Sequence, residues 1–278
     1  MNTERLIKDI VDRLQHVAGV EAIVLGGSRA RGTHTSTSDI DLGIYYLEAT
    51  ALDLATLTHI ATELDDDHRP QLMTAIGGWG SWINGGGWLN VQTIPVDLLY
   101  RDLSKVTNVI HDCHQGRIEV VYQPGHPHAF LSSMYLAELA LCQPLWDPHG
   151  AVAMLKEYTQ PYPAPLQQAI IDRFFWEADF SLRIAQKSAS RRDVAYAAGC
   201  CFRCVACLTH TLFALNEQYW MNEKGAVALA ATFSQCPNRF DERVAAAFRQ
   251  LDAQPAAIVG AIDLLNELVQ EVRILVVT

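Results

Sequence analysis

The chain has 278 residues, half of them hydrophobic and 19% charged, with a formal net charge of −10 at pH 7. That balance suits a globular protein with room for a full core and excludes disordered, collagen-like and mucin-like chains. An acidic surface repels polyanions, which disfavours an extended duplex bound through a basic face, whereas a small phosphate ligand held through a metal stays open.

From the N-terminus, Leu6, Ile7, Ile10, Val11, Leu14 and Val17 recur at helical spacing among Glu4, Arg5, Lys8, Asp9 and Asp12. This is an amphipathic surface helix and not the apolar core of a secretory signal. No apolar run approaches the eighteen or so residues of a membrane span. With no leader and seven cysteines, an odd number, the expectation is a cytoplasmic chain with reduced thiols.

An apolar strand over 21–25 runs into Gly26-Gly27-Ser28, and the chain returns through Ser38-Asp39-Ile40-Asp41 into a strand over 40–46. Glycines at such a turn let backbone N–H groups approach a phosphate closely, and Ser28 adds a hydroxyl. Asp39 and Asp41 are two apart, so on an extended chain both carboxylates leave one face and repel unless a cation sits between them. Hard divalent ions such as Mg²⁺ take such oxygen ligands together with substrate phosphates.

A helix follows over 51–64, then a Gly/Trp-rich stretch containing Trp79, Trp82 and Trp88. Lacking a Gly-Lys-Ser/Thr ending, that stretch is not a P-loop. It reads equally as a flap whose rings stack on a ligand and as a long hairpin loop with its rings packed down. Strands over 88–91 and 94–100 come next, and the second carries Asp97 inside an otherwise apolar run, where an acid needs a reason. A third carboxylate on a neighbouring strand would complete a two-metal site. A helix over 102–113 and a strand over 118–122 close this half; His111, Cys113 and His114 sit at helical spacing and read as ordinary helix residues before a zinc site.

Beyond the stretch 123–128 the pattern turns helical, over 130–141, 148–157, 166–186, 194–219, 240–251 and 256–276, with a shorter segment at 226–233 and Pro161, Pro163 and Pro165 punctuating a turn. Cys200, Cys201, Cys204 and Cys207 have a spacing also met in iron–sulfur proteins. Their run is rich in Ala, Leu and Phe without proline, which favours a packed helix face. Residues 1–125 carry sixteen acidic and nine basic side chains, so the negative charge concentrates there.

The Gly-Ser turn, the eleven-residue step to Asp-x-Asp and the later strand aspartate resemble the DNA polymerase β-like nucleotidyltransferase superfamily. Within it, a sheet domain followed by helices is similar to the aminoglycoside nucleotidyltransferases and to the small prokaryotic nucleotidyltransferases paired with toxins. The resemblance implies that Gly27 and Ser28 hold the β- and γ-phosphates, and that Asp39, Asp41 and Asp97 bind two Mg²⁺ ions. It also implies that Asp97 helps activate the acceptor hydroxyl. Arg29 and Arg31 are further phosphate contacts by charge. Glu138 as general base and Lys224 as nucleotide contact follow from the family's helical domain without a motif to place them.

The expectation is therefore an α/β (α+β) nucleotidyltransferase domain with a mixed sheet over 1–125 and a helical bundle over 126–278, with the nucleotide between them. It would transfer a nucleoside monophosphate from an NTP, ATP first, to a small-molecule hydroxyl, an aminoglycoside-like one by analogy, as a monomer or homodimer. The alternative is an antitoxin-like protein that binds or nucleotidylates a partner protein. Nucleic acid as acceptor is disfavoured because no basic aromatic platform is present.

Overall fold

The computed structural model describes residues 3–277 and divides into two compact units. The first runs up to His111 and takes in Tyr135–Pro161; the second is Asp112–Met134 with Tyr162 onward. The division is therefore interleaved and does not follow a single cut at residue 125.

In the first unit, helix α1 (Thr3–Leu14) turns Leu6, Ile7, Ile10, Val11 and Leu14 inward, the stripe its spacing dictates. It covers a sheet made of β1 (Val20–Leu25), β2 (Ile40–Tyr46), β3 (Gly86–Val91) and β4 (Ile94–Asp102). Helix α2 is a single turn, Gly27–Ala30, and α3 spans Leu54–Leu64. The order across the sheet is β3-β4-β2-β1 plus one later strand, and β2–β4 is its parallel pair. Every other neighbouring pair is antiparallel. The sheet is thus mixed, as expected. Ile40, Leu42 and Ile44 of β2 and Val96, Leu98 and Tyr100 of β4 are completely buried and alternate with the residues of the other face.

Two acids at the end of α3 hold this sheet's edge. Asp65 is completely buried and accepts from Arg69 Nε at 2.9 Å and Nη2 at 2.6 Å, from the Arg69 N–H, and from the Asn90 N–H of β3. Asp66 accepts the N–H groups of Gln92 and Thr93, both at 2.8 Å. Those two residues form the β3–β4 turn with φ of 52° and 66°. Such a two-residue turn matches the twist of the strands but strains non-glycine residues, and the Asp66 carboxylate offsets that strain.

After α4 (Leu103–His114), β5 (Val120–Val121) is only two residues long and pairs with β6 (Phe130–Leu131), outside the main sheet. The strand expected over 118–122 is thus a short hairpin arm in the second unit, and the helix expected from residue 130 begins at 134. That helix, α5 (Met134–Leu141), leads into β7 (Gln143–Trp146), which pairs antiparallel with β1 and completes the sheet. A four-residue strand containing Pro144 carries almost no periodicity, and proline is tolerated there because the strand is an edge. Helix α6 spans Ala151–Glu157.

The second unit is built on three long helices, α7 (Ala164–Ala189), α8 (Val194–Leu215) and, after the short α9 (Ala226–Ala230) and α10 (Phe240–Gln250), α11 (Pro255–Val277). Pro165 stands in the first turn of α7, where its missing N–H costs nothing. The Asp193 side chain accepts the Tyr196 N–H and caps α8. By length and composition α8 is apolar enough to cross a bilayer, contrary to the sequence expectation, but most of it is buried against its neighbours, as in the core helix of a bundle.

Arg69 and the backbone N–H groups on Asp65 hold its carboxyl well below the usual carboxylate range. Its contribution is therefore full above the unfolded value near 4 and is lost as pH falls below it. Asp65→Ala lowers stability at pH 7 by about 2 kcal/mol, read as a reduced urea midpoint. The gap to wild type narrows on acidification; an unchanged midpoint at pH 7 contradicts this.

Candidate active site

The parallel pairing of β2 and β4 sets Ile40 beside Val96, Asp41 beside Asp97 and Leu42 beside Leu98. Because Ile40, Leu42, Val96 and Leu98 are all core residues, their intervening acids share the opposite face. A slip of one residue in either strand would turn that strand's acid into the core and its apolar row outward, so the core itself enforces the juxtaposition. Asp39 lies one step before the strand on the same side. One carboxylate oxygen from each of Asp39, Asp41 and Asp97 lies within 4.8 Å of the other two.

The turn after β1 abuts this cluster. The Gly26 N–H donates to the Asp41 carbonyl at 2.8 Å and the Gly26 carbonyl accepts the Ala30 N–H, which folds the chain over the end of β2. Gly27 has φ +59°, and a Cβ there would fall 1.8 Å from Asp41 Oδ2. Only glycine leaves room for that carboxylate. Ser28 follows directly, its carbonyl accepting the Thr33 N–H.

Arg29 has a different task from the one its charge suggested. Its Nε donates to the Asp39 carbonyl at 2.7 Å and its Nη2 to the Ser38 carbonyl at 2.5 Å, tying down the loop that presents Asp39. Arg31 is exposed, with Nε 3.3 Å from the Gly27 carbonyl.

Burial pushes the Asp97 carboxyl up to about 6, and the neighbouring negative charge of Asp39 adds to the rise. Three convergent carboxylates around one point, one of them resisting ionisation, form the all-oxygen donor set of a hard divalent cation. The residues therefore fit Mg²⁺ or Mn²⁺.

The Gly/Trp-rich stretch divides between its two readings. Trp82 is packed down, edge-on to Tyr135 with Lys105 Nζ 4.1 Å from its ring centroid. Trp88 is 60% exposed, stacks on Trp79 with centroids 4.4 Å apart, and pairs directly across from Asp97. Directly paired residues share a face, so Trp88, Asp97, Asp41 and the Gly26–Gly27 turn follow one another across the sheet. No spacing signal in the sequence pairs Trp88 with Asp97; the hairpin register does.

Glu138 is not available as a base. Both its oxygens accept from Arg101, Nε at 2.6 Å and Nη2, and Arg101 is itself 3% exposed. Glu138 is the counter-ion of a buried guanidinium that links α5 to β4, a role that needs the charge retained. Lys224 belongs to the second unit, where it lines an open cavity with Gly125, His126, Pro127, Asn222 and Glu223. Cys200, Cys201, Cys204 and Cys207 are buried on α8, as expected of a packed face. His111, Cys113 and His114 form no three-ligand cluster among the described residues.

Residues 4–73 match a family described as nucleotidyltransferase domain. That segment contains α1, β1, the Gly-Gly-Ser turn, Asp39, Asp41 and α3; Asp97 lies beyond it. No curated protein matches the chain. Among solved structures it is similar to a nucleotidyltransferase-like protein from Exiguobacterium sibiricum 255-15. The identity is 11% and the TM-score 0.47, over 97% of this chain and 75% of that one.

A cation bound by three ionised carboxylates must displace the Asp97 proton at any pH below about 6. Mn²⁺ affinity, followed by the loss of the free-ion electron paramagnetic resonance signal, is expected to drop about fivefold between pH 6 and 5. Asp97→Asn binds more weakly at pH 7 and flattens that dependence; a wild-type profile in the variant contradicts the assignment.

Proposed function

From the premise that this chain carries an N-terminal nucleotidyltransferase domain and is a transferase, we propose that it is a Mg²⁺-dependent nucleotidyltransferase. It moves the nucleoside monophosphate of an NTP, ATP in the first instance, to a hydroxyl of a small acceptor and releases pyrophosphate. The observation that supports this most directly is the in-register pairing of Asp41 with Asp97, with Asp39 completing the cluster against Gly27.

Asp39, Asp41 and Asp97 would hold the metal. When bound, Mg²⁺ neutralises triphosphate charge and polarises the phosphorus–oxygen bonds that change. Gly27 and Ser28, at the end of β1, receive the β- and γ-phosphates. The acceptor oxygen forms a bond to the α-phosphorus as the bond to pyrophosphate breaks. Asp97, the third carboxylate of the cluster, would take the acceptor's proton. Displacement in line puts acceptor and leaving group on opposite sides of the reacting phosphorus. With the phosphates at Gly27, the acceptor lies toward Trp88, whose exposed indole offers a face to a ring. The excess of acidic residues in 1–125 favours a cationic acceptor over a nucleic acid.

Pyrophosphate release from ATP and Mg²⁺ across a panel of amino-sugar and other hydroxylated acceptors tests this. Asp39→Asn and Asp41→Asn each lower turnover by about 100-fold or more while their unfolding midpoints stay near or above wild type. Normal turnover in both variants contradicts the metal-centred reading.

A further inference from the structure

Among the described residues, one other group brings metal-ligating atoms together, and it lies wholly in the second unit: His128, Glu177 and Cys207. They come from three separate places, the segment before β6, the middle of α7 and the middle of α8. One ligand atom from each lies within 4.8 Å of the other two. Cys207 Sγ and His128 Nε2 are 3.8 Å apart. Zinc–sulfur and zinc–nitrogen bonds of 2.3 and 2.0–2.1 Å at a tetrahedral angle require a separation of about 3.6 Å, so this pair already stands nearly at coordinating distance.

The surroundings point the same way. Glu177 is 4% exposed, and its Oε2 accepts Arg173 Nη1 at 3.1 Å while Oε1 accepts Arg203. Those contacts orient the carboxylate as outer-shell partners do and leave each oxygen a second lone pair. His128 Nδ1 is buried without a partner, which leaves the thiol contact at Nε2 as the ring's hydrogen bond. A thiol is a weak donor, so without an ion the Cys207–His128 contact is a weak one inside a packed unit. The ligand types, one thiolate, one imidazole and one carboxylate, are those of a borderline-soft ion and not of Mg²⁺.

The geometry points to a zinc-type site formed by His128 Nε2, a carboxylate oxygen of Glu177 and Cys207 Sγ, with a water in the fourth position. Binding replaces the Cys207 proton, which leaves to solvent, and pins the segment 123–128 to α7 and α8. The site is independent of the carboxylate cluster and of the reaction proposed for it.

The test uses the full chain, reduced and stripped of metal with a chelator, titrated with Co²⁺ as the spectroscopic probe. Wild type is expected to develop a thiolate-to-cobalt charge-transfer band that added Zn²⁺ removes, and Asp39→Asn is expected to keep the band. Cys207→Ser loses it; if that variant does not fold, His128→Gln, altered in an irregular segment, carries the test with affinity reduced about tenfold or more. No band in wild type, a band persisting in Cys207→Ser, or wild-type affinity in His128→Gln overturns the site.

Discussion

The register between β2 and β4 is the constraint on which the candidate site depends. In two strands whose inward rows are completely buried, a one-residue slip of either would expose apolar side chains, and the register they adopt sets Asp41 beside Asp97. The repulsion between carboxylates is then paid for by the core that fixes the strands. Burial of Ile40, Leu42, Val96 and Leu98 outweighs it, at about 25 cal/mol per Å² of apolar surface removed from water. The result is a cluster held in place before any ligand arrives, with one member, Asp97, kept near the boundary of ionisation.

The supports around the cluster each act on backbone. Arg29 spends two N–H groups on the carbonyls of Ser38 and Asp39 and so fixes the approach to β2. Asp65 and Asp66 secure the far edge, where the β3–β4 turn has both central residues at positive φ. Gly27 supplies the complementary feature, an absent side chain, so that the turn after β1 closes onto Asp41. Order of this kind limits the reorganisation that a charged ligand would otherwise require.

Much of this was legible in the amino-acid sequence, because the signals are local. Alternating apolar residues mark β2 and β4, a glycine pair marks the turn, and an acid at each of positions 39, 41 and 97 breaks an otherwise apolar or strand-like run. Less was legible where a role depends on a distant partner. Glu138 read as a free carboxylate until Arg101 appeared beside it, and Arg29 read as a phosphate contact until its carbonyl partners did. Trp88 and Trp82 look alike in a Gly/Trp-rich run, yet hairpin pairing exposes one opposite Asp97 and tertiary packing buries the other. β7 escaped notice because four residues with a proline have no period to detect, and its pairing with β1 draws 135–161 into the sheet unit. In α8 the cysteines follow the packed face that their spacing suggested, while His128 and Glu177 come to Cys207 from segments 79 and 30 residues away.

The central claim is that the in-register carboxylates form a metal-dependent nucleotide site. Calorimetric titration with non-hydrolysable analogues of ATP, GTP, CTP and UTP, with and without Mg²⁺, on wild type and on Asp41→Asn tests it most directly. The account predicts saturable binding of at least one analogue that requires Mg²⁺ and is lost in the variant. Binding that is indifferent to Mg²⁺, or equally strong in Asp41→Asn, would contradict it.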